Sequence, residues 1–252
     1  MLKKISKSVL ALILVTTLFS SLTYADNSGE SNEYTPEMYV DYLTELINNG
    51  DVGASESLNQ FNGLEPSKQE TFLRFITSID YAEAIEDIAT GEKETTYNYN
   101  GEEVPVTVVD ESSSNGTQGG KSSTNALAAA NTAASASKSF TFSVFGVDTT
   151  TITLTVSWEH NGSVAVRPLQ VSYAHVNRNP AFILSETSNN NPGYISEGYF
   201  HGSGTWTMRA TGAIGFVSDT LGINIKASTP AHRYYSFSST KGNVKPIPWT
   251  AF

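Results

Sequence analysis

The sequence predicts an α+β protein in which a small N-terminal helical unit with a short β-hairpin is joined by a flexible tether to a C-terminal antiparallel β-sandwich. Before about position 90, apolar residues recur at three- and four-residue spacing, which is the period of a helix. After about position 140, apolar and polar residues alternate, which is the period of a strand. Residues 112–139 between them are mostly Ser, Gly, Asn, Thr and Ala, a composition typical of a linker.

The first residues predict a signal peptide over residues 1–25. Lys3, Lys4 and Lys7 precede a short apolar run, and Ala25 ends a segment of the kind that signal peptidase reads. The run is too short for a membrane span, although an uncleaved anchor is the alternative. The chain has no cysteine, which excludes disulfides and Cys-ligated zinc and is typical of Gram-positive exoproteins. We therefore expect a secreted, extracellular protein.

Charge divides the mature chain into two unlike parts. From residue 26 to 137 there are 20 acidic residues against four basic ones, a net charge of −16. From residue 138 to 252 there are five acidic residues against eight basic ones, a net charge of +3. This asymmetry predicts that the acidic part masks the basic part, or that the basic part meets an anionic surface. The expected partner is a bacterial cell envelope, membrane or wall polymer, and not nucleic acid.

The acidic region, residues 26–111, contains clear helix signals. Thr35 and Pro36 predict a helix start, because Thr is a favourable N-cap and Pro suits the first helical position. A further turn or two is predicted over Ser55–Phe61, and Pro66 opens a helix whose apolar face continues to Ile88. Asn100-Gly101 then separates two alternating runs, which predicts a two-residue hairpin turn.

The Ser/Gly/Ala-rich segment, residues 112–139, is predicted to be a flexible coil with little to bury. An exposed linker of this kind is where a protease acts first. Two roles therefore stay open: a passive spacer, or a processing site that frees the C-terminal part.

The C-terminal region, residues 140–252, reads as a series of short strands. The clearest runs from Thr151 to Trp158, where Ile152, Leu154, Val156 and Trp158 share one face and hydroxyl-bearing residues the other. Asn161-Gly162 predicts a hairpin after it. Together with turns rich in Gly, Asn and Pro, this pattern favours a sandwich. The alternation over Thr149–Val166 would also suit a hairpin that lines a membrane pore. Further strands are expected over Phe140–Val144, Gln170–Val176, Ala181–Ser185, Tyr194–Phe200, Thr205–Thr211, Ile223–Ala227 and Arg233–Ser238.

No catalytic or cofactor motif occurs. The four histidines form no metal-binding pair at i, i+2 or i, i+4 spacing, and there is no G-x-S-x-G, P-loop or dinucleotide fingerprint. We therefore predict no cofactor, no metal and no enzymatic activity. The alternative is a hydrolase whose site is assembled in space, with His201 and Ser203 as its centre.

Aromatic residues are the strongest candidates for function. Adjacent aromatic pairs in strands must place one ring on each face of a sheet, so some rings are exposed. Exposed rings beside cations suit sugar stacking, membrane interfaces or anionic wall polymers. The predicted envelope or glycan contacts are Tyr199, Phe200, Trp206, Arg209, Tyr234, Tyr235 and Trp249.

The layout resembles the large secreted bacteriocins of bacilli. The resemblance rests on the signal peptide, the cysteine-free acidic mature chain, the helical N-terminal part, the Ala/Ser-rich joint and the aromatic, Thr-rich β part. It implies killing of related Gram-positive bacteria. The leading hypothesis is therefore a secreted, non-enzymatic antibacterial protein whose β domain engages the target envelope. An extracellular carbohydrate or cell-wall binding module is the alternative from the binding class.

Overall fold

Helices precede strands throughout the part of the chain that can be described. The computed structural model describes residues 34–89, 93–116, 131–187, 192–211, 218–239 and 247–252. Within these ranges lie four helices, α1 Pro36–Asn48, α2 Ala54–Asn62, α3 Pro66–Ile76 and α4 Ile79–Ala89. The strands are β1 Glu94–Tyr99, β2 Glu102–Gly116, β3 Thr132–Val144, β4 Val147–His160, β5 Ala165–Asn177, β6 Phe182–Glu186, β7 Tyr194–Ser196, β8 Tyr199–Ala210, β9 Ser218–Thr229, β10 His232–Ser239 and β11 Ile247–Ala251. The predicted signal peptide lies outside the described residues.

The strands form two antiparallel sheets. The first sheet has the order β1-β2-β3-β4-β5, so each strand pairs with its neighbour in the chain. The second has the order β11-β10-β9-β8-β6, and β7 also pairs with β8. The α+β class predicted from the two periodicities is confirmed.

The helices begin and end close to where the sequence predicts. Thr35 caps α1, since its side-chain hydroxyl accepts a hydrogen bond from the Met38 amide at 3.3 Å. The predicted helix from Pro66 is interrupted: α3 ends at Ile76, and the Thr77 hydroxyl donates to the Leu73 carbonyl at 2.7 Å. A hydroxyl that binds the preceding turn competes with the helical ladder, and α4 then starts at Ile79.

The predicted hairpin at Asn100-Gly101 is confirmed. Both residues have positive φ, 53° and 85°, as a type I′ turn requires. The turn joins β1 and β2 in a register that runs from Tyr99↔Glu102 to Glu94↔Thr107.

The predicted coil over residues 112–139 is wrong at both ends. Residues 112–116 continue β2, and residues 132–139 are the first part of β3. The two strands pair from Val106↔Val144 to Gly116↔Ala134. Apart from Lys138, the side chains of residues 112–116 and 132–139 are small, but alternate ones of β3 face inward, and Ala134 and Ala136 are buried. The rest of the predicted linker, residues 117–130, lies outside the described residues.

The helices dock on the strands, so the acidic and basic regions are not separate. The Tyr81 hydroxyl lies 2.8 Å from the Thr149 hydroxyl oxygen and 3.0 Å from that of Thr150, both on β4. The Asn179 amide donates to the Ile76 carbonyl at 2.6 Å. Residues Asn32–Phe252 accordingly form one compact unit, with no boundary at the predicted linker.

The core draws on both sheets. Ile152, Leu154, Val156 and Trp158 of β4 are fully buried, as their alternation predicts. The face that would contact lipid in a pore-lining hairpin is thus part of the core. Opposite it, β8 carries Gly202, where a Cβ atom would lie 2.7 Å from the Val156 side chain. Glycine is therefore needed where β8 approaches β4 closely.

Candidate functional site: an aromatic cluster around Lys226

One transverse row of side chains crosses the outer face of the second sheet. Tyr194 of β7 pairs with His201 of β8, His201 with Lys226 of β9, and Lys226 with Tyr234 of β10. Residues directly opposite in antiparallel strands share a face and lie side by side. The inner face is occupied by their chain neighbours, since Phe200, Ile225, Ala227 and Tyr235 are buried. The period-two alternation of four strands therefore brings these four side chains together.

Lys226 lies at the centre of three aromatic rings, and we call Tyr199, Lys226, Tyr234 and Trp249 the Lys226 cluster. The Nζ atom is 4.8 Å from the ring centre of Trp249, 5.2 Å from that of Tyr234 and 5.6 Å from that of Tyr199. These distances are within the range for cation–π attraction. The rings therefore hold the ammonium group in place on the surface.

A pocket of about 120 Å³ adjoins the cluster. Its walls include Tyr194, His201, Ser203, Asn224 and Trp249. The Tyr194 and His201 rings stack with centres 4.9 Å apart and planes 5° from parallel, and the Trp249 ring meets His201 edge-on at 6.4 Å. Tyr194 and Trp249 keep 55% and 42% of their surface exposed, so a ligand can reach the rings from solvent.

The electrostatics of the pocket favour an anion. No described carboxylate lies within ion-pair distance of Lys226. Burial lowers the pKa of His201, and the positive charge of Lys226 lowers it further, against the opposing effects of a backbone hydrogen bond with Ser196 and of the Glu197 charge. His201 is therefore neutral at pH 7, and protonation at lower pH adds a second positive charge.

The structure divides the predicted contact residues into three groups. Tyr199, Tyr234 and Trp249 lie on the outer face within the Lys226 cluster. Trp206, Phe200 and Tyr235 are buried on the inner face, so the expectation that they contact an envelope or glycan is wrong. Trp206 packs against Tyr173, and Phe200 stacks on Trp158.

Arg209, the remaining predicted contact, is exposed but distant from the cluster. It lies eight residues from His201 along β8, roughly 26 Å at about 3.3 Å per residue. Its cross-strand partners are Ile183 and Ser218, so the structure does not bring it together with the aromatic rings.

Sequence reasoning missed Asn224 as a site residue, whereas Tyr194 and Lys226 are among the aromatic residues and cations from which the contact surface was predicted. The signal for Lys226 was present, because alternation over Ile223, Ile225 and Ala227 places it on the outer face. Its aromatic surroundings depend on strand register, which no local pattern in the chain specifies.

Hydrolytic chemistry would need more than the pocket holds. His201 and Ser203 both line it, two residues apart on one face of β8. No Asp or Glu is among its described lining residues, whereas a catalytic triad uses a carboxylate to orient the histidine. Over the described ranges, no group of three His, Asp or Glu residues is placed to hold a metal ion. None of the helices within those ranges is long and apolar enough to cross a bilayer.

The fold is α+β, and the outer face of its second sheet carries the Lys226 cluster and the adjoining pocket. No protein-family model, curated protein or solved structure matches this chain.

Proposed function

We propose that this protein is a secreted, non-enzymatic antibacterial protein, similar to a bacteriocin, that engages the bacterial cell envelope through the Lys226 cluster. The observation that carries the proposal is a partly exposed cation held between three aromatic rings. Aromatic rings with a cation suit an interface at which sugars or headgroups meet anionic groups. The envelope of Gram-positive bacteria is such a surface.

The position of the cluster supports this proposal. Every described residue of the cluster and the adjacent pocket comes from the region of net positive charge. The acidic helices pack elsewhere, against β4 and the β5–β6 connection. Masking of the cluster by the acidic region is therefore not part of the proposal.

The test uses the chain from Asp26 onward, which contains the whole compact unit. Binding to intact Gram-positive cells is measured by sedimentation, and killing is measured by growth inhibition of related bacilli. We expect binding and inhibition by the wild-type chain, and a loss of both in Trp249→Ala. Arg209→Gln is the matched control, since it removes a charge from the same face of β8 at its other end. Binding that Trp249→Ala leaves unchanged would contradict the proposal.

An extracellular glycan or wall-binding module is the second candidate, and the pocket favours it. Exposed Tyr194 and Trp249 rings flank a space of about 120 Å³, an arrangement that suits stacking against a sugar. Retention on purified peptidoglycan and wall polymers without growth inhibition would identify this function in place of killing.

We also infer that the two sheets stack face to face as a β-sandwich. Supporting ring contacts between the sheets are Phe140 to Phe237 at 5.0 Å, Trp158 to Phe200 at 6.0 Å and Tyr173 to Trp206 at 6.4 Å. Sheets in a sandwich lie about 10 Å apart with interdigitating side chains. An experimental structure in which these rings are not in contact would contradict the arrangement.

A further inference from the structure

We propose that the Lys226 cluster and its pocket bind a sugar ring that carries an anionic group, either phosphate or carboxylate. The anion is bound by the Lys226 ammonium group, and the sugar ring packs on Trp249 and Tyr194. This inference deepens the proposed function by naming the ligand class of the same site.

Lys226 has unfilled hydrogen-bonding capacity. An ammonium group has three N–H donors, and rings that attract its charge accept no conventional hydrogen bond from it. Within the described residues, Nζ donates no hydrogen bond and forms no ion pair, whereas two of the other described lysines, Lys93 and Lys138, both bind Asp110. Lys226 is therefore a fixed cation whose donors remain available to a ligand.

The side chains beside that cation have the chemistry to bind a sugar. Tyr194, His201 and Trp249 present ring faces and edges, which suit the apolar face of a sugar. Ser203 and Asn224, which are cross-strand partners, line the same pocket. A hydroxyl and an amide supply donors and acceptors for sugar hydroxyl groups. The polar and apolar groups thus match the two kinds of surface on one sugar.

The volume of the pocket limits the part of a ligand that can enter it. The pocket holds about 120 Å³, below the ~300 Å³ at which typical small-molecule pockets begin. It is large enough for one ring or one substituent, and the rest of a ligand must lie along the exposed surface. An anionic saccharide polymer meets this condition, because only one unit has to enter.

The test measures binding to small probes by fluorescence of the only exposed tryptophan. The chain has three tryptophans, and Trp158 and Trp206 are fully buried, so a ligand on the outer face quenches or shifts Trp249 alone. The probes are glucose 1-phosphate, glucuronic acid, methyl glucoside and inorganic phosphate. We expect both acidic sugars to bind about tenfold more tightly than the neutral sugar, since each gains a charge-assisted hydrogen bond.

Variants of Lys226 test the contribution of the anionic group separately from that of the sugar ring. Lys226→Gln should remove the preference for acidic sugars, Lys226→Arg should retain it, and Arg209→Gln should have no effect. A preference that persists in Lys226→Gln overturns the assignment of the anion to Lys226. Inorganic phosphate that binds as tightly as glucose 1-phosphate overturns the role of the sugar ring.

Cell binding of the same variants distinguishes this inference from the proposed function. If Trp249→Ala abolishes binding to cells while wild type does not discriminate between acidic and neutral sugars, the envelope function stands and the anionic-sugar inference fails. If Trp249→Ala binds cells like wild type while acidic sugars are still preferred, the inference stands and the envelope function fails.

Discussion

Lys138 is a buried charged residue of the first sheet that is stabilised by the side chains around it. Its side chain is 3% exposed, and Nζ donates to an Asp110 carboxylate oxygen at 2.7 Å. The same nitrogen lies 4.2 Å from the Tyr235 ring centre. The strand alternation points Lys138 inward between Ala136 and Phe140, so it requires the carboxylate from β2.

Asp110→Asn is therefore expected to destabilise the fold by about 3 kcal/mol at pH 7, because it leaves a buried ammonium group without its counter-ion. The measurement is urea unfolding of wild type and variant. Glu111→Gln is the control, since Glu111 is the next residue on β2 and is exposed. Equal unfolding midpoints for wild type and Asp110→Asn would show that the ring contacts alone hold Lys138.

The contribution of the Asp110–Lys138 pair to the stability of the fold should decrease at low pH. Burial raises the pKa of Asp110, but hydrogen bonds from Lys138 and Lys93 outweigh it, so the pKa is lower than usual. Its contribution to stability is present above the unfolded value, about 4, and is lost as pH falls through the folded pKa. Wild type and Asp110→Asn should therefore converge in stability at low pH.

A second prediction for a single residue concerns His201, and it rests on the anionic-sugar inference. It faces the rings of Tyr194 and Trp249, and the charges nearest to it are Lys226 and Glu197. Its lowered pKa leaves it neutral in the free protein at pH 7, whereas a bound anion favours the protonated form. Affinity for glucuronic acid, whose carboxylate stays ionised over this range, should rise as pH falls from about 7 to 5.5.

His201→Gln should flatten that rise, because glutamine has no ring nitrogen that takes up a proton in this range. Titrations at matched ionic strength exclude a general screening effect. An affinity that rises equally in wild type and His201→Gln would contradict the role of His201.

At the scale of elements, one ion pair ties the helices to the strands. Arg178, after β5, donates to both carboxylate oxygens of Asp51 at 3.0 and 2.9 Å. Gly53 makes room for it, because a Cβ atom there would lie 2.2 Å from the guanidinium group. The Tyr39 hydroxyl donates to the Arg178 carbonyl at 3.0 Å, so α1, α2 and β5 meet at this residue.

Arg178→Met is expected to cost about 3 kcal/mol, because Asp51 then loses its partner in a largely buried position. Gly53→Ala should weaken the same contact by displacing the guanidinium group. Asp41→Asn, on the exposed face of α1, is the control. The free energy of unfolding from denaturant titration measures all three, and a cost below that of Asp41→Asn would contradict the role of the pair.

Elements were predictable from sequence where the signal is local. The Asn100-Gly101 turn, the Thr35 cap and the β4 alternation each depend on residues close together in the chain. The pairing of residues 112–116 with 134–138 does not, because short side chains carry little apolar periodicity. On the other side of β3, β4 stabilises that strand through hydroxyl contacts such as Ser139 to Thr153 at 2.7 Å and Ser137 to Thr155 at 2.9 Å.

The candidate site could be predicted only in part. Adjacent rings such as Tyr199-Phe200 and Tyr234-Tyr235 had to face opposite sides of a sheet, and they do. Which ring of each pair faces outward depends on how the sheet is covered, and the gathering of Tyr199, Tyr234 and Trp249 around Lys226 depends on register. Neither property can be predicted from the sequence of a single strand.

In the folded chain, the helices and both sheets share one hydrophobic core. This shared core determines what proteolytic cleavage of the chain can release. β3 pairs with β2 on one side and β4 on the other. The helical side chains Tyr81 and Ser57 bind β4 through its Thr149 hydroxyl and its Asp148 carbonyl. A chain cut between residues 117 and 130 would keep all of these contacts, so cleavage there should not release residues 140–252 as a free domain.

The test inserts a specific protease site between residues 117 and 130 and follows the cut protein by size-exclusion chromatography. We expect the two fragments to elute together at the volume of the uncut chain and to separate only in denaturant, because the β2–β3 ladder and the helix contacts remain buried. Binding to cells should be the same before and after the cut. Separate elution of the fragments without denaturant would instead support a processing event that frees the C-terminal part.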